Sequence, residues 1–217
     1  MLAQGNRRKW SLMAVVVVLT MGINSAMAID VKLSMDDARK TLAAGRAPME
    51  KANTPEEVRK VLQQASKVTR VGADPEKDSC GASAILRTKR YRLEAFGRQE
   101  ASESKKRKKD IRMPEEFIKK VVDMPNMEVE VQLCGDDEYF AEGAIIELQQ
   151  GRKRVKPIDI GKAERGRKNE GDGPAYRSRF TAVFAYESFD PNAASVFVIN
   201  LQDGKEVRIN ADFSKVK

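Results

Sequence analysis

Histidine is absent from all 217 residues. That removes the commonest general base near neutral pH and the commonest metal ligand together. Ser-His-Asp and Cys-His nucleophilic systems are excluded, and so are histidine-ligated zinc sites. Mechanisms built on lysine, tyrosine or carboxylate survive, but no spacing ties Tyr91 to Glu94, or Tyr139 to Glu138, in any recognisable chemistry. The sequence is therefore read as non-enzymatic, with no cofactor and no metal site.

Cysteine is scarce: only Cys80 and Cys134 occur. They are too far apart for a Cys-x-x-Cys redox pair, and in an oxidising compartment an isolated pair of this kind is expected to form a structural disulfide. Apolar runs are scarce as well. The one that stands out is Leu12 to Thr20, preceded by Arg7, Arg8 and Lys9 and followed by Ala26-Met27-Ala28. A basic stretch, a short apolar stretch and small residues at a cleavage position make a secretory signal peptide. The rival, an uncleaved anchor, needs ~20 apolar residues, and this run is shorter. Residues 1–28 are thus expected to be removed, leaving a mature chain from Ile29 with no transmembrane segment, in the periplasm or secreted, by the bacterial pattern. Cleavage lowers the formal net charge from +8 to +5, enough to favour anionic partners without naming one.

In the mature chain, helical signals come first. Ser34-Met35-Asp36-Asp37 makes a near capping box, with the helix expected to end at Gly45. Thr54-Pro55-Glu56-Glu57 opens a second helix, with Val58, Val61, Leu62, Ala65 and Val68 on one face. Neither is long enough to stand alone, so each must dock, on the chain's own core or on a partner. Residues 29–72 are read as this helical segment and 73–217 as a β domain, with Gly72-Ala73-Asp74-Pro75 between them.

Strand signals dominate the second part. Residues 84–96 read as a strand with Tyr91, Leu93 and Ala95 on one face, residues 101–109 as an exposed loop, and Pro114 to Val122 as a short helix burying Phe117, Ile118, Val121 and Val122. Met127 to Cys134 alternates cleanly, with Met127, Val129, Val131 and Leu133 inward. Cys134 falls on the outward set, so a bulge or strand end is expected to turn it toward Cys80. Ala144–Leu148 and Arg154–Ile158 flank Gln150-Gly151, and residues 161–175 read as a long mobile loop. Tyr176 onward supplies three strands, the last two joined by a two-residue turn at Asp203-Gly204 with positive φ at both positions. Phe180, Phe184, Tyr186, Phe189 and Phe197 are expected in the core. The fold class is mainly β (α+β): an antiparallel immunoglobulin-like β-sandwich behind a short N-terminal helical segment.

Two basic tracts are the conspicuous surface chemistry. Lys105, Lys106, Arg107, Lys108 and Lys109 are consecutive. A second tract from Arg152 to Lys168 contains Arg152, Lys153, Arg154, Lys156, Lys162, Arg165, Arg167 and Lys168 against Asp159 and Glu164, a net charge of +6. The candidate anion-binding residues are Lys105 to Lys109 with Arg152, Lys153 and Arg154; the alternative is that both tracts are solvated loops. No aromatic residue is interleaved with Lys105 to Lys109, and export argues against genomic DNA, so nucleic acid is not expected. Asp136-Asp137-Glu138 has no EF-hand-like spacing and reads as a turn. The expected function is an exported, non-catalytic binding or assembly module with an envelope protein, anionic glycan or anionic lipid surface as partner. The alternative is a periplasmic chaperone or adaptor using a strand edge and the N-terminal helices.

Overall fold

The computed structural model describes residues 29–169, 173–213 and 216. The signal peptide expected over residues 1–28 lies outside the described residues.

Helix α1 (Met35–Lys51) starts as its capping residues dictate, the Asp37 N–H donating to Ser34 Oγ at 3.1 Å. It does not stop at Gly45. That glycine is buried within the helix where α1 crosses α3 (Lys89–Arg107), and a Cβ there would lie 2.2 Å from the Glu94 carbonyl oxygen. Gly97 is its counterpart, 2.0 Å from the Leu42 carbonyl oxygen by the same construction. One glycine on each helix, set against the backbone of the other, lets the two helices touch, and this packing outweighs glycine's helix-ending tendency. Helix α2 (Pro55–Val68) carries the full capping box: Glu57 N–H to Thr54 Oγ1 at 3.2 Å and Thr54 N–H to Glu57 Oε2 at 3.1 Å. None of its residues is buried, however, and Leu62 and Val68 of its apolar stripe are about half exposed.

The strand expected over 84–96 is only β2 (Ser83–Arg87); Thr88 then caps α3, its Oγ1 accepting from the Tyr91 N–H. Leu93, Gly97 and Ala101, four residues apart, form the buried seam. Small and charged residues blur this helical period in the sequence. Lys105 to Arg107 are accordingly the last helical turn, not a loop, and Lys108 ends it at φ 51°. Cations here complement the negative end of the helix dipole. Helix α4 (Glu115–Val122) buries Ile118 and Val121, whereas Phe117 is exposed beneath the Lys120 ammonium.

Ten strands among the described residues form two antiparallel sheets. Besides β2, they are β1 (Arg70–Gly72), β3 (Asn126–Gly135), β4 (Ile145–Gln150), β5 (Lys153–Val155), β6 (Asp159–Ile160), β7 (Arg167–Lys168), β8 (Tyr176–Ala185), β9 (Ala194–Asn200) and β10 (Glu206–Asp212). One sheet runs β1-β2-β3-β8-β6, with β7 also on β8; the other runs β10-β9-β4-β5. Both contribute to one core. Leu86, Val129, Val131 and Phe184 of the first meet Ile146, Leu148, Phe197 and Ile209 of the second. Phe184, Phe197, Phe213 and Phe189 form a chain of tilted and edge-on ring contacts there, with centroids 5.5–6.1 Å apart. A second cluster joins Ala38, Leu42, Leu93, Ile118 and Val121 of the helices. Helix takes up slightly more residues than strand, so the class is mixed α+β rather than mainly β.

The turn at Asp203-Gly204 differs from the two-residue form. Only Gly204 has positive φ (83°), Gly204 N–H donates to the Leu201 carbonyl (3.0 Å), and Leu201 N–H to the Lys205 carbonyl (2.9 Å). That is a type I turn closed by a glycine bulge, which matches strand twist with one left-handed residue instead of two.

Candidate anion-binding site

Strand parity builds the site. The alternation that buries Val129, Val131 and Leu133 turns Glu128, Glu130, Gln132 and Cys134 to the opposite face of the first sheet. Register then sets Arg177 beside Cys134, Arg179 beside Gln132, and Arg167 of β7 beside Arg177. Arg87 lies opposite Glu128, and Arg70 opposite Ile85. One outward face thus collects arginines from four strands.

The cysteines meet on this face. Cys134 needs no bulge: it stays in register, pointing away from the core, and the loop carrying Cys80 crosses over the sheet to reach it, with Cα atoms 5.3 Å apart. Asp78 shapes the loop by accepting from Cys80 N–H (3.1 Å) and Gly81 N–H (2.7 Å). Asn169 Nδ2 lies 3.1 Å from Cys80 Sγ. The disulfide is compatible with an extracytoplasmic location. No helix among the described residues is long and apolar enough to cross a membrane.

Among the described residues, charge is balanced at one end of the face and not at the other. Arg87 pairs with both Glu128 and Glu130, and Arg92 of α3 reaches Glu128 at 3.0 Å. At the disulfide end, Arg177 Nη2 donates to the Ser79 carbonyl (2.7 Å) and to Asn169 Oδ1 (3.0 Å). Both partners are neutral. Its Nε is buried with no hydrogen-bond partner among the described residues, and so is that of Arg70. Among the described residues Arg179 pairs with Glu130 alone, at 3.8 Å, and Arg87 already holds that carboxylate. Burial pushes the Arg70 guanidinium down from its ordinary value, and the nearby Arg179 charge adds to the effect. The Glu130 and Asp74 charges offset this only in part. A partly buried arginine with no directly paired carboxylate among the described residues is costly, and an arriving anion relieves that cost.

A cavity of about 260 Å³ opens here, lined by Glu164, Arg167, Lys168, Arg177 and Arg179. Four cations face one carboxylate, which itself lies 4.0 Å from Arg167. The wall is fixed rather than loose. Within residues 161–169, expected as part of a mobile loop, Gly161 N–H donates to the Thr181 carbonyl and Glu164 N–H to the Arg179 carbonyl, both at 2.8 Å. The Ser178 hydroxyl binds the Glu164 carbonyl at 2.5 Å.

The chain matches no protein-family model, and neither the curated proteins nor the solved structures give a match to it. The site's chemistry therefore rests on these contacts alone.

The residues named as anion-binding candidates from the sequence, Lys105 to Lys109 and Arg152 to Arg154, lie elsewhere. Lys105 Nζ binds the Ala52 carbonyl at the end of α1, and Arg107 pairs with Glu103 one turn back. Lys106, Lys108 and Lys109 are exposed around the end of α3. Arg152, Lys153 and Arg154 sit at the β4–β5 turn, with Arg154 on Glu147 at 3.4 Å. No hydrogen bond or ion pair among the described residues joins Lys105 to Lys109, or Arg152 to Arg154, to the cavity. Arg167 and Lys168 belong to the second basic tract, but Arg177 and Arg179 lie in the strand that starts at Tyr176 and were not singled out. The available signal was an Arg-x-Arg pair on one face of an alternating strand. Asp137 accepts from the Tyr139 N–H at 2.7 Å and Glu138 pairs with Arg165, as a solvated turn requires.

Proposed function

We propose that this chain is an exported, non-catalytic binding or assembly module that captures an anionic component of a bacterial envelope on the arginine face of its first sheet. The observation that carries the reading is the pair of partly buried guanidiniums, Arg70 and Arg177, with no ion-pair partner among the described residues, beside a cavity lined by four cations. The disulfide supports an oxidising compartment, and the cleaved leader belongs to the same proposal. Two antiparallel sheets around a shared core support an immunoglobulin-like sandwich as the scaffold, with α3 and α4 inserted between β2 and β3. Lys105 to Lys109 and Arg152 to Arg154 add long-range attraction, which salt screens.

Replacing Arg177 and Arg179 with glutamine is expected to weaken binding to anionic envelope extract by roughly tenfold or more, and to flatten its salt dependence. Arg179→Gln alone, at a half-exposed position, separates charge from folding. Binding unchanged in both variants would reject the site. Replacing Lys105 to Lys109 with serine is expected to slow association mainly.

A second reading, an adaptor acting through protein contacts, is favoured by α2. Its stripe remains open beside a groove lined by Ala44, Gly45, Pro48, Val61 and Val68. Leu62→Ser with Val68→Ser should leave thermal stability nearly unchanged and abolish a crosslinked protein complex if the helix is the contact; a clear loss of stability would make the stripe part of the core instead.

A further inference from the structure

We infer that the cavity between β7 and β8 is a receptor for a phosphoryl group, the terminal dianion of a phosphomonoester carried on a polar body. This rests on the anion-binding reading above and specifies its ligand.

Three features narrow the chemistry. The lining is entirely charged, with no aromatic or aliphatic side chain among Glu164, Arg167, Lys168, Arg177 and Arg179. An acyl chain finds no apolar side chain there, so the group that enters the cavity is polar. Secondly, the guanidiniums arrive from separate positions: Arg167 directly across the ladder from Arg177, and Arg179 two residues along the same face. Residues so placed are about 5 Å and 7 Å apart at the backbone. One planar carboxylate satisfies one guanidinium fork well, whereas the oxygens of a tetrahedral phosphoryl group accept from several directions at once. Thirdly, the excess is large. Among the described residues, four cations against Glu164 leave a surplus that a monoanion does not neutralise, and along the same face Arg70 adds a further charge while Glu130 is shared by Arg87 and Arg179. Arg177 is also pre-oriented: Ser79 and Asn169 hold its Nη2, so little side-chain entropy remains to be lost on binding.

The test is calorimetric titration of residues 29–217, disulfide intact, with glycerol 3-phosphate, sulfate and acetate at matched ionic strength. Glycerol 3-phosphate is expected to bind at least roughly tenfold more tightly than acetate, and to tighten between about pH 5 and pH 7.5 as its second proton, with pKa near 6, is lost. Sulfate, a dianion throughout, is expected to bind with no such rise. A rise shared by sulfate would place the titrating group on the protein and overturn the inference. So would equal affinity for acetate. Arg167→Gln and Arg179→Gln should each weaken phosphate binding several-fold while the unfolding midpoint stays within a few degrees. Vesicles of phosphatidylcholine with and without phosphatidic acid separate the sources. Capture by both the free ester and the vesicles assigns the group wherever it is carried; capture of the free ester alone assigns a soluble or glycan-borne phosphate. Arginine-dependent binding to envelope extract without preference for glycerol 3-phosphate over acetate would remove the phosphoryl assignment and leave the broader function standing.

Discussion

Replacing Cys80 and Cys134 with serine is expected to lower the unfolding free energy by about 4 kcal/mol. The sulfurs close a loop with a sequence separation of 54, which contains α3, α4 and most of β3. Opening it returns that whole segment's freedom to the unfolded chain. Denaturant unfolding of the oxidised and the double-serine protein gives the difference directly. The native state changes as well: without the bridge, Ser79 and Asn169 lose the anchor beside Arg177, so affinity for anions should fall together with stability. A difference under about 1 kcal/mol would mean that the unfolded chain keeps the two ends close without the bridge, because the loop-entropy contribution would then be missing.

Arg46→Met is expected to cost about 3 kcal/mol, since it strands a buried carboxylate. Arg46 of α1 is almost fully buried and donates to Glu100 (3.2 Å), Asp110 (2.6 Å) and the Ile111 carbonyl (2.9 Å), and also pairs with Glu50. Glu100, on α3, is only 3% exposed; its other oxygen accepts from the Met113 N–H at 2.5 Å. The guanidinium therefore ties α1, the end of α3 and the segment leading to α4 into one unit. Removing it alone leaves Glu100 desolvated without its cation. Arg46→Met with Glu100→Gln removes both charges of the buried pair and is expected to recover part of the loss, because a neutral side chain suffers far less from burial than an unpaired charge. Thermal unfolding of both variants decides it, and a double variant no more stable than Arg46→Met would show that packing, not charge, dominates.

Strand β3 was legible because one face is buried and the other is not, so Met127, Val129, Val131 and Leu133 mark the core at period two. The two N-terminal caps were legible for an equally local reason, since Ser34 and Thr54 bond backbone only three residues away. Helix α3 was not legible. Its seam uses Gly97 and Ala101, whose contribution is to be small, and no hydropathy period records smallness. Likewise, Gly45 ends a helix by local preference and continues one by tertiary packing. The cations of the candidate site were half visible: Arg167 and Lys168 stood out in a charge run, while Arg177 and Arg179, alternating within a strand, form no run. What joins them is the pairing of β7 with β8 and a loop held by a sulfur bridge, and neither is encoded in local spacing.

The pairing of β3 with β8 also bears on how the chain is made. The two strands match along ten residue pairs, yet forty residues lie between the end of β3 and the start of β8. A nascent chain that has reached Gly135 but not Tyr176 offers one rim of β3 with nothing beside it, the kind of bare strand border that invites self-association. Both sulfurs, and the β2 strand that lines the other rim, have already emerged by then. The crosslink can therefore close on a half-built sheet and hold a straight, registered template until the late strand arrives.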